Sequence, residues 1–372
     1  MKLQVLQENL NKAISLVSRF VSPKAQLPIL GNILLKAKNN KLTLAATNLE
    51  SAISLTLPAK VEGEGEIGIP ARTINEVVTN LPLGVLNLEL QKEQLKISTP
   101  NFSSQLLGMN TADFPAIPIL ITKAGLKISQ ETLSSALNKV LFATSIDETR
   151  PILTGILCLF KKGKLILVAT DGFRLSQVVI DKISGVNKEI KVVLPKTCLS
   201  EISRLPLEGE DVLFSFNTKE NQVVFGTQDI VLSSRILEGE FPDWEKIIPK
   251  ETLFEVRVDK EDLLRVVKLA SVFARDSANV IKIKLEKEGI VLTSESSQAG
   301  SQKTRLEAKI EAKSNLDDFE IAFNFRFLED FLHAASGDEV KIQLTSASSP
   351  AVFLDPQDPS FLHLIMPVKI QG

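Results

Sequence analysis

The chain has 372 residues, of which 44% are hydrophobic and 24% charged, and its formal net charge is −2. Because one globular core usually serves about 100–200 residues, this length predicts two or three folded domains. The near-neutral charge argues against a protein that holds nucleic acid mainly through a large positive charge. The two histidines and two cysteines are scattered, so we expect no Cys/His zinc cage, no redox chemistry and no bound cofactor, although an all-carboxylate metal site stays open.

The start of the sequence, residues 1–8, lacks the apolar stretch of a signal peptide. No run approaches the roughly 18 apolar residues that are needed to span a bilayer. Two cysteines in a chain of this length suit a reducing compartment. We therefore expect a cytoplasmic protein.

Helices are predicted for three amphipathic segments that recur along the chain, residues 7–21, 129–145 and 259–274. In the first of them Leu10, Ile14 and Val17 fall at helical spacing on one face. Basic side chains are expected on the outer faces of these helices, among them Lys12, Lys139, Arg265 and Lys268.

A pair of predicted strands follows each of these helices. Thr47, Thr170 and Ser294 occupy the same place in the second strand of each pair, at intervals of 123 and 124 residues. A further strand then leads into a second helix, and each third of the chain closes with more β-branched, strand-like sequence.

The second helices are predicted over residues 72–80, 196–205 and 325–336. Pro70, Pro195 and Asn324 stand where the strand meets the helix, at intervals of 125 and 129 residues, and proline or asparagine suits a helix start. Segments of the same types in the same order, at a nearly constant interval, predict three homologous domains. We place them at residues 1–122, 123–250 and 251–372.

Residues 63–68 match the glycine pattern of dinucleotide-binding loops. Glu62, Glu64 and Glu66 would repel a pyrophosphate there, and no helix follows at once. We interpret the segment as an exposed acidic turn before a strand.

Three acidic pairs could bind a metal or serve as acid and base, at positions 261–262, 317–318 and 329–330. We expect the first and third in the first turn of a helix, where carboxylates complement the positive helix end, and the second in a turn before a strand. His333 lies at helical spacing from Asp330 but has no serine or cysteine nearby in sequence, which gives a catalytic triad little support.

The segment 170–175, Thr-Asp-Gly-Phe-Arg-Leu, admits two interpretations. As enzyme chemistry, Asp171 would be a nucleophile and Arg174 an anion clamp. As structure, Asp-Gly is a turn after a strand, and the residues alone favour the turn.

Five distinctive segments follow one another along the chain: residues 27–32 (LPILGN), Arg150 with Leu153 and Gly155, residues 169–175 (ATDGFRL), residues 238–243 (EGEFPD) and residues 365–370 (IMPVKI). Together they resemble the β subunits, or sliding clamps, of bacterial replicative DNA polymerases. The resemblance covers essentially the whole chain. It implies an α+β fold of three tandem copies of the DNA-clamp fold, each with two helices packed on β-sheets, that forms half of a six-domain ring of two subunits joined head to tail.

The resemblance also implies a function without catalysis. The ring would encircle duplex DNA regardless of sequence and act as the processivity factor of the polymerase. Polymerase, clamp loader and repair proteins would bind it through short linear peptides, and no membrane is involved. A ring that holds DNA by topology needs few tight phosphate contacts, which reconciles DNA binding with a net charge of −2.

Two sets of residues follow from the resemblance. The pocket for partner peptides comprises Arg150, Leu153, Thr170, Gly172, Phe173, Arg174, Leu175, Pro242, Lys246, Ile247, Ser349, Met366, Pro367 and Val368. The expected phosphate contacts are Lys24, Arg72 and Lys196, with Lys12, Lys139, Arg265 and Lys268 as further candidates on helix faces. Apolar side chains would give the pocket an adaptable recess, and Arg150 and Arg174 at its rim would orient peptide carbonyls or carboxylates.

The sequence departs from the family pattern at a few positions. Phe173 stands where histidine is frequent, Lys246 stands where arginine is frequent, and residues 371–372 extend past the usual end. An aromatic ring at position 173 should enlarge the apolar wall of the pocket and change its peptide preference.

Two other functions remain as alternatives. One is an enzyme that acts on phosphorylated substrates through Asp171 and Arg174. The other is a scaffold of three repeats that binds only proteins and never meets DNA.

Overall fold

The computed structural model describes residues 1–22, 27–118, 126–186, 188–205, 209–217, 220–316 and 319–369. Within these ranges the chain repeats one order of elements three times. Each repeat consists of a strand, a helix, three strands, another strand, a second helix and three closing strands, and the first and third repeats contain one additional short strand. This order confirms the threefold pattern of the sequence, whereas the domain limits stay a prediction, and residues 122 and 123 lie outside the described ranges.

The helices, in chain order, are α1 Gln7–Val17, α2 Ala71–Thr79, α3 Gln130–Asn138, α4 Lys196–Ser203, α5 Lys260–Ala274 and α6 Phe325–Ala334. The first helices of the first two repeats are shorter than predicted and are followed by the 3₁₀ turns Ser18–Phe20 and Leu141–Ala143. Such a tightening is common where the last carbonyls of a helix lose their partners.

The strands of the first repeat are β1 Lys2–Leu6, β2 Asn32–Lys38, β3 Lys41–Thr47, β4 Ser51–Pro58, β5 Lys60–Gly63, β6 Gly65–Pro70, β7 Val85–Gln91, β8 Gln94–Thr99 and β9 Phe102–Leu107. Those of the second are β10 Leu126–Ser129, β11 Gly155–Lys161, β12 Lys164–Thr170, β13 Arg174–Asp181, β14 Ile190–Pro195, β15 Asp211–Asn217, β16 Gln222–Gly226 and β17 Ile230–Arg235. Those of the third are β18 Phe254–Asp259, β19 Val280–Glu286, β20 Gly289–Ser296, β21 Gly300–Glu307, β22 Lys309–Ala312, β23 Glu320–Asn324, β24 Glu339–Leu344, β25 Ala351–Asp355 and β26 Asp358–Ile365.

The two helices of each repeat pack against each other, α1 on α2, α3 on α4 and α5 on α6. The predicted apolar face of α1 is confirmed, because Leu10, Ile14 and Val17 are fully buried. At the start of α6 the side chain of Asn324 accepts a hydrogen bond from the amide of Arg326, as expected of a capping asparagine.

The chain forms two compact units. The first unit comprises Met1–Ser129 and Leu207–Ile236. It contains an eight-stranded antiparallel sheet in the order β10-β15-β16-β17-β4-β3-β2-β6 and a five-stranded sheet in the order β5-β1-β7-β8-β9.

The second unit comprises Gln130–Pro206 and Leu237–Gly372. It contains a nine-stranded sheet in the order β14-β11-β12-β13-β26-β25-β24-β18-β22 and a four-stranded sheet in the order β21-β20-β19-β23. Seven of its buried side chains pack together in what we call the apolar cluster: Leu157, Val168, Leu175, Val193, Phe241, Trp244 and Leu364.

Both large sheets combine strands of two successive repeats. In the first unit β4 pairs with β17, and in the second β13 pairs with β26. Strands β4, β13 and β21 hold the same position in their repeats, and so do the closing strands β9, β17 and β26. Among the described residues, β9 and β21 are edge strands, each paired on one side only, β9 with β8 and β21 with β20.

No helix within the described ranges is both long enough and apolar enough to cross a membrane.

Candidate functional site

A tight turn links β12 to β13 and forms the centre of the candidate site. Asp171 Oδ1 accepts hydrogen bonds from the amides of Phe173, at 2.9 Å, and Arg174, at 3.0 Å. Thr170 Oγ accepts one from the Gly172 amide at 3.1 Å and donates one to the Arg174 carbonyl at 2.6 Å. Gly172 has a φ of +91°, which a residue with a side chain rarely adopts. The predicted turn is therefore confirmed, and it presents Phe173 with 66% of its surface exposed.

The C-terminal part of the chain lies beside this turn. Because β13 and β26 are antiparallel neighbours, Leu175 faces Leu364, although the two residues are distant in sequence. The amide of Met366 donates a hydrogen bond of 2.8 Å to the carbonyl of Phe173. The structure thus brings the start of the predicted terminal segment, residues 366–368, next to the predicted turn.

The segment 241–248 forms the third part of the site. The rings of Phe241 and Trp244 belong to the apolar cluster together with Leu175, and the side chain of Met366 packs against the same cluster. Between and beyond these buried rings, Pro242, Lys246 and Ile247 are exposed. Buried and exposed side chains thus alternate along this segment, which lies at the boundary between the core and solvent.

Lys246 is paired with Asp243, whose carboxylate lies 2.6 Å from the ammonium. A hydrogen bond to this carboxylate and its negative charge raise the pKa of Lys246. Since the Lys246 side chain is 83% exposed, this ion pair is accessible to a ligand.

Beyond Lys246 an open cleft of about 400 Å³ is lined by Lys246, Ile247 and Ser349 among other residues of the ranges 246–251 and 345–350. Ile248 lines this cleft and also packs against the apolar cluster, so the cleft lies next to that cluster. The Ser349 hydroxyl is 2.7 Å from that of Ser346, within a serine-rich turn.

The 3₁₀ turn Pro151–Thr154 contributes the remaining predicted residues. Leu153 is buried, and Arg150, directly before the turn, is exposed. A Cβ on Gly172 would lie 3.9 Å from the Arg150 guanidinium, which places Arg150 beside the turn 171–173. Arg150 is thus an exposed basic side chain next to the turn, and its role in binding a peptide stays a prediction.

Arg174 differs from the prediction. Its side chain is only 11% exposed and donates hydrogen bonds to Asp171, to Asp330 and to the carbonyl of Phe142, so it lies beneath the turn. The expectation that Arg174 lies at the rim is therefore wrong, because the carboxylates of Asp171 and Asp330 already bind its guanidinium. The same contacts give Asp171 a structural partner and confirm the preference for the turn over the nucleophile.

The acidic pairs have mixed outcomes. Asp262 lies in the first turn of α5, as predicted, where Asp259 caps its amide and Arg265 pairs with its carboxylate. For residues 329–330 the prediction of a first helical turn is wrong, since α6 begins at Phe325 and the pair falls in its second turn. In this second turn, Asp330 accepts a hydrogen bond from Arg174. The remaining pair, Asp317 and Asp318, lies outside the described residues. In the part of the chain that the structure describes, no group of three or more His, Cys, Asp or Glu side chains could hold a metal ion.

The basic residues expected to contact phosphates differ in their exposure. Lys12, Arg72, Arg265 and Lys268 are exposed on their helices, whereas Lys24 lies outside the described residues. Lys139 is a correction: it follows the end of α3, its side chain is 13% exposed, and its ammonium pairs with Asp358 instead of pointing outwards.

Lys196, at the first position of α4, is half-buried. Burial, followed by the positive charge of nearby Arg174, lowers the pKa of Lys196, while Asp330 acts in the opposite direction. Lys196 therefore belongs to the same charged group as Arg174. The sequence could not indicate Asp330, Phe142 or Phe327 near this group, because they approach it only through folding.

The comparisons with known proteins are consistent over the whole chain. Family models of the DNA polymerase III beta subunit match residues 1–118 as the N-terminal domain, 127–243 as the central domain and 245–369 as the C-terminal domain. A beta sliding clamp of Synechococcus elongatus is 33% identical over 380 residues, covering 100% of both chains. One of Synechocystis is 30% identical over 393 residues, again covering 100% of both.

Solved structures give the same result for the fold. A DNA polymerase sliding clamp from Bacillus subtilis has 27% sequence identity and a TM-score of 0.93, with 100% of both chains covered. The three repeats are therefore tandem copies of the clamp fold. The protein belongs to the DNA polymerase III beta subunits, the β sliding clamps, which are the non-catalytic processivity factors of the replicative polymerase.

Proposed function

We propose that two copies of this chain join head to tail in a ring of six domains that encircles duplex DNA, slides along it and tethers the polymerase. Family membership supports the coarser statement that the protein dimerises, encircles DNA and binds a polymerase. The arrangement of the sheets carries the finer proposal.

The internal sheets follow one rule of pairing. A strand of one repeat pairs with the closing strand of the next repeat, β4 with β17 and β13 with β26. By the same rule the equivalent strand of the third repeat, β21, requires the closing strand of a first repeat, β9. Joining β21 of one copy to β9 of another would turn a four-stranded and a five-stranded sheet into one of nine strands, the size of the larger internal sheet.

Exposed apolar side chains lie in β9 and on the helix that packs against β21. Leu107, in β9, is 73% exposed. Leu269 and Val272 are half-exposed on α5, the helix that packs on β21. Unpaired edge strands with apolar side chains are a liability in a monomer, and a partner strand removes it. Since the two edges differ, the contact would be heterologous and would close into a ring only after a whole number of copies.

A closed ring retains DNA without tight contacts between basic side chains and phosphates. The exposed residues Lys12, Arg72, Arg265 and Lys268 support transient phosphate contacts, because the partners of Arg72 and Arg265 are exposed carboxylates of their own helices. Such surface ion pairs are weak in water and exchange readily for phosphate. Lys139, which is paired with Asp358, is removed from this set.

The peptide site is proposed at the turn 171–173, the segment 242–247, Ser349 and residues 366–368. Its base is the apolar cluster, its rim has the exposed basic residues Arg150 and Lys246, and its most exposed aromatic ring is that of Phe173. A mostly apolar recess with a few polar groups at its edge suits short peptides with apolar side chains.

The topological proposal is tested by loading the protein on nicked circular DNA with a clamp loader and ATP. We expect the loaded protein to remain on the circle during gel filtration and to dissociate once a restriction enzyme makes the circle linear. Equal retention on circular and linear DNA would contradict encirclement. Failure to load, together with intact binding of partner peptides, would favour a scaffold that never meets DNA.

A further inference from the structure

Arg174 has partners on three sides, all from its own chain. Its guanidinium donates to Asp171 at 3.0 Å and to the Phe142 carbonyl at 2.7 Å, and a third hydrogen bond goes to Asp330 on α6. The centre of the guanidinium lies 4.5 Å from the ring centroid of Phe327, also on α6, and 5.4 Å from that of Phe142. Such charge-assisted and stacked contacts fix a planar guanidinium in one orientation.

These contacts form a continuous series from α6 to the surface of the peptide site. Asp330 holds one end of the Arg174 guanidinium, and the Nε of Arg174 holds Asp171. The other oxygen of Asp171 accepts the amides of Phe173 and Arg174. The turn that presents Phe173 is therefore connected through Asp171 and Arg174 to a carboxylate 156 residues further along the chain.

The local charges make Asp330 hard to replace. Arg174 and the half-buried Lys196 supply two positive charges, and Asp171 and Asp330 supply two negative ones. Without the Asp330 carboxylate, two cations would share one anion where the Arg174 side chain is only 11% exposed. Loss of one partner of a buried charge is costly, and the carboxylate that would remain on Arg174, beside the Phe142 carbonyl, is that of Asp171, which shapes the turn.

We propose that Asp330 is a positioning residue of the peptide site: by holding Arg174 it keeps Asp171, and hence the turn with Gly172 and Phe173, in the conformation that binds partner peptides. This inference rests on the proposed peptide-binding function. It assigns to the helix α6 a role in peptide affinity, although Asp330 itself need not touch the peptide.

The test compares Asp330→Asn with Glu329→Gln in the full-length protein. The control removes the same charge from the neighbouring residue of α6, for which the structure shows no such contact with Arg174. Fluorescence anisotropy measures the affinity for a labelled peptide from the clamp-binding segment of the polymerase. We expect the Kd to rise roughly fivefold or more in Asp330→Asn, as is typical of coupled neighbours, and to stay within twofold of wild type in Glu329→Gln. Asp330→Glu should recover part of the affinity, since it retains the charge.

Hydrogen exchange provides a second measurement that needs no peptide. The amides of Phe173 and Arg174 should exchange faster in Asp330→Asn, while amides in the centre of β12 keep their wild-type protection. A general loss of stability would instead raise exchange throughout the sheet, and that result would overturn the proposal.

The outcomes separate the inference from the function on which it rests. If wild type binds the peptide and Asp330→Asn binds it equally well, the inference is wrong. If wild type does not bind the peptide, the proposed peptide site is wrong, and local exchange at the turn then decides alone whether Asp330 holds its conformation.

Discussion

Lys139 and Asp358 form an ion pair across 219 residues of sequence, and their side chains are only 13% and 18% exposed. Asp358 begins β26, and Lys139 directly follows α3. Burial alone would raise the pKa of Asp358, but hydrogen bonds from Lys139 and Ser360 hold it below its usual value. The carboxylate is therefore charged at neutral pH and depends on its partner.

Replacing Lys139 with methionine should destabilise the protein. The substitution keeps an unbranched side chain, one atom shorter, but leaves the Asp358 carboxylate without the lysine, which for a buried pair costs about 3 kcal/mol. Urea unfolding at pH 7 measures the change in free energy. Lys12→Met, at an exposed position, is the control and should stay within about 0.5 kcal/mol of wild type. Equal stability of the two variants would contradict the structural role of Lys139.

His363 should make stability depend on pH. It is fully buried, and burial, followed by the positive charge of Arg174, lowers its pKa to about 3. In the unfolded chain the group would take up a proton near its usual pKa of about 6.5. Its contribution to stability is therefore complete above about pH 6.5 and is lost as pH falls towards 3, by about 1.4 kcal/mol per pH unit.

The second histidine supplies the control for this prediction. His333 is exposed at the end of α6, so His333→Gln should retain the pH dependence of unfolding between pH 5 and 6.5. An NMR titration of wild type follows the two histidine ring resonances. The resonance that is still present in the spectrum of His333→Gln is assigned to His363. A midpoint near pH 6.5 for that resonance would show that the imidazole is accessible and that the prediction is wrong.

Leu107→Glu should convert the proposed dimer into monomers. The side chain is 73% exposed in the single chain, so a charge there should leave the fold intact, but it would be buried against the β21 edge of a partner. Sedimentation velocity at micromolar concentration measures the mass. Leu83→Glu is a matched control, since Leu83 is also 73% exposed but lies outside β9. Dimers in both variants would exclude β9 from the interface.

Removal of residues 366–372 should abolish peptide binding. The truncation eliminates the Met366 amide that bonds to Phe173, the Met366 side chain that packs on the apolar cluster and the Val368 amide that bonds to Ala322. Calorimetry with the polymerase peptide measures the affinity, and circular dichroism checks the fold. A shorter truncation that removes only residues 370–372 serves as control and should bind as wild type does. Unchanged affinity in the longer truncation would remove these residues from the site.

The sequence predicts the repeat and most of its elements because each repeat contains strong local signals. Strand-to-helix transitions at Pro70, Pro195 and Asn324 are confirmed, and so is the buried face of α1. The sequence predicts only a pair of strands after each first helix, whereas the structure has a third one, β4, β13 or β21. In β21 the signal is weak, since a single buried leucine, Leu306, stands among polar residues at the edge of its sheet. Strands β4 and β13 lie inside their sheets and have several buried apolar residues, so this reason does not extend to them.

For the peptide site, the family resemblance supplies the residues, and the sequence alone supplies only the turn at Asp171. It could not predict that Arg174 is buried, since the partner that buries it, Asp330, is 156 residues away. The prediction that Lys139 is exposed on a helix face is wrong for the same reason. A lysine near a helix is usually solvated, and only the folded chain brings Asp358 to it.

The repeated pairing of strands has a consequence for how such a ring would open. In the proposed dimer six junctions of one kind hold the sheets together, and four of them, β4 with β17 and β13 with β26 in each copy, join strands of a single chain. Covalent linkage keeps those strands at high effective concentration, so they re-form at once after any local separation. The two β9–β21 junctions have no such tether. A loading machine would therefore separate the ring at one of these seams, and the few apolar side chains along the seam would set how long the protein stays on DNA.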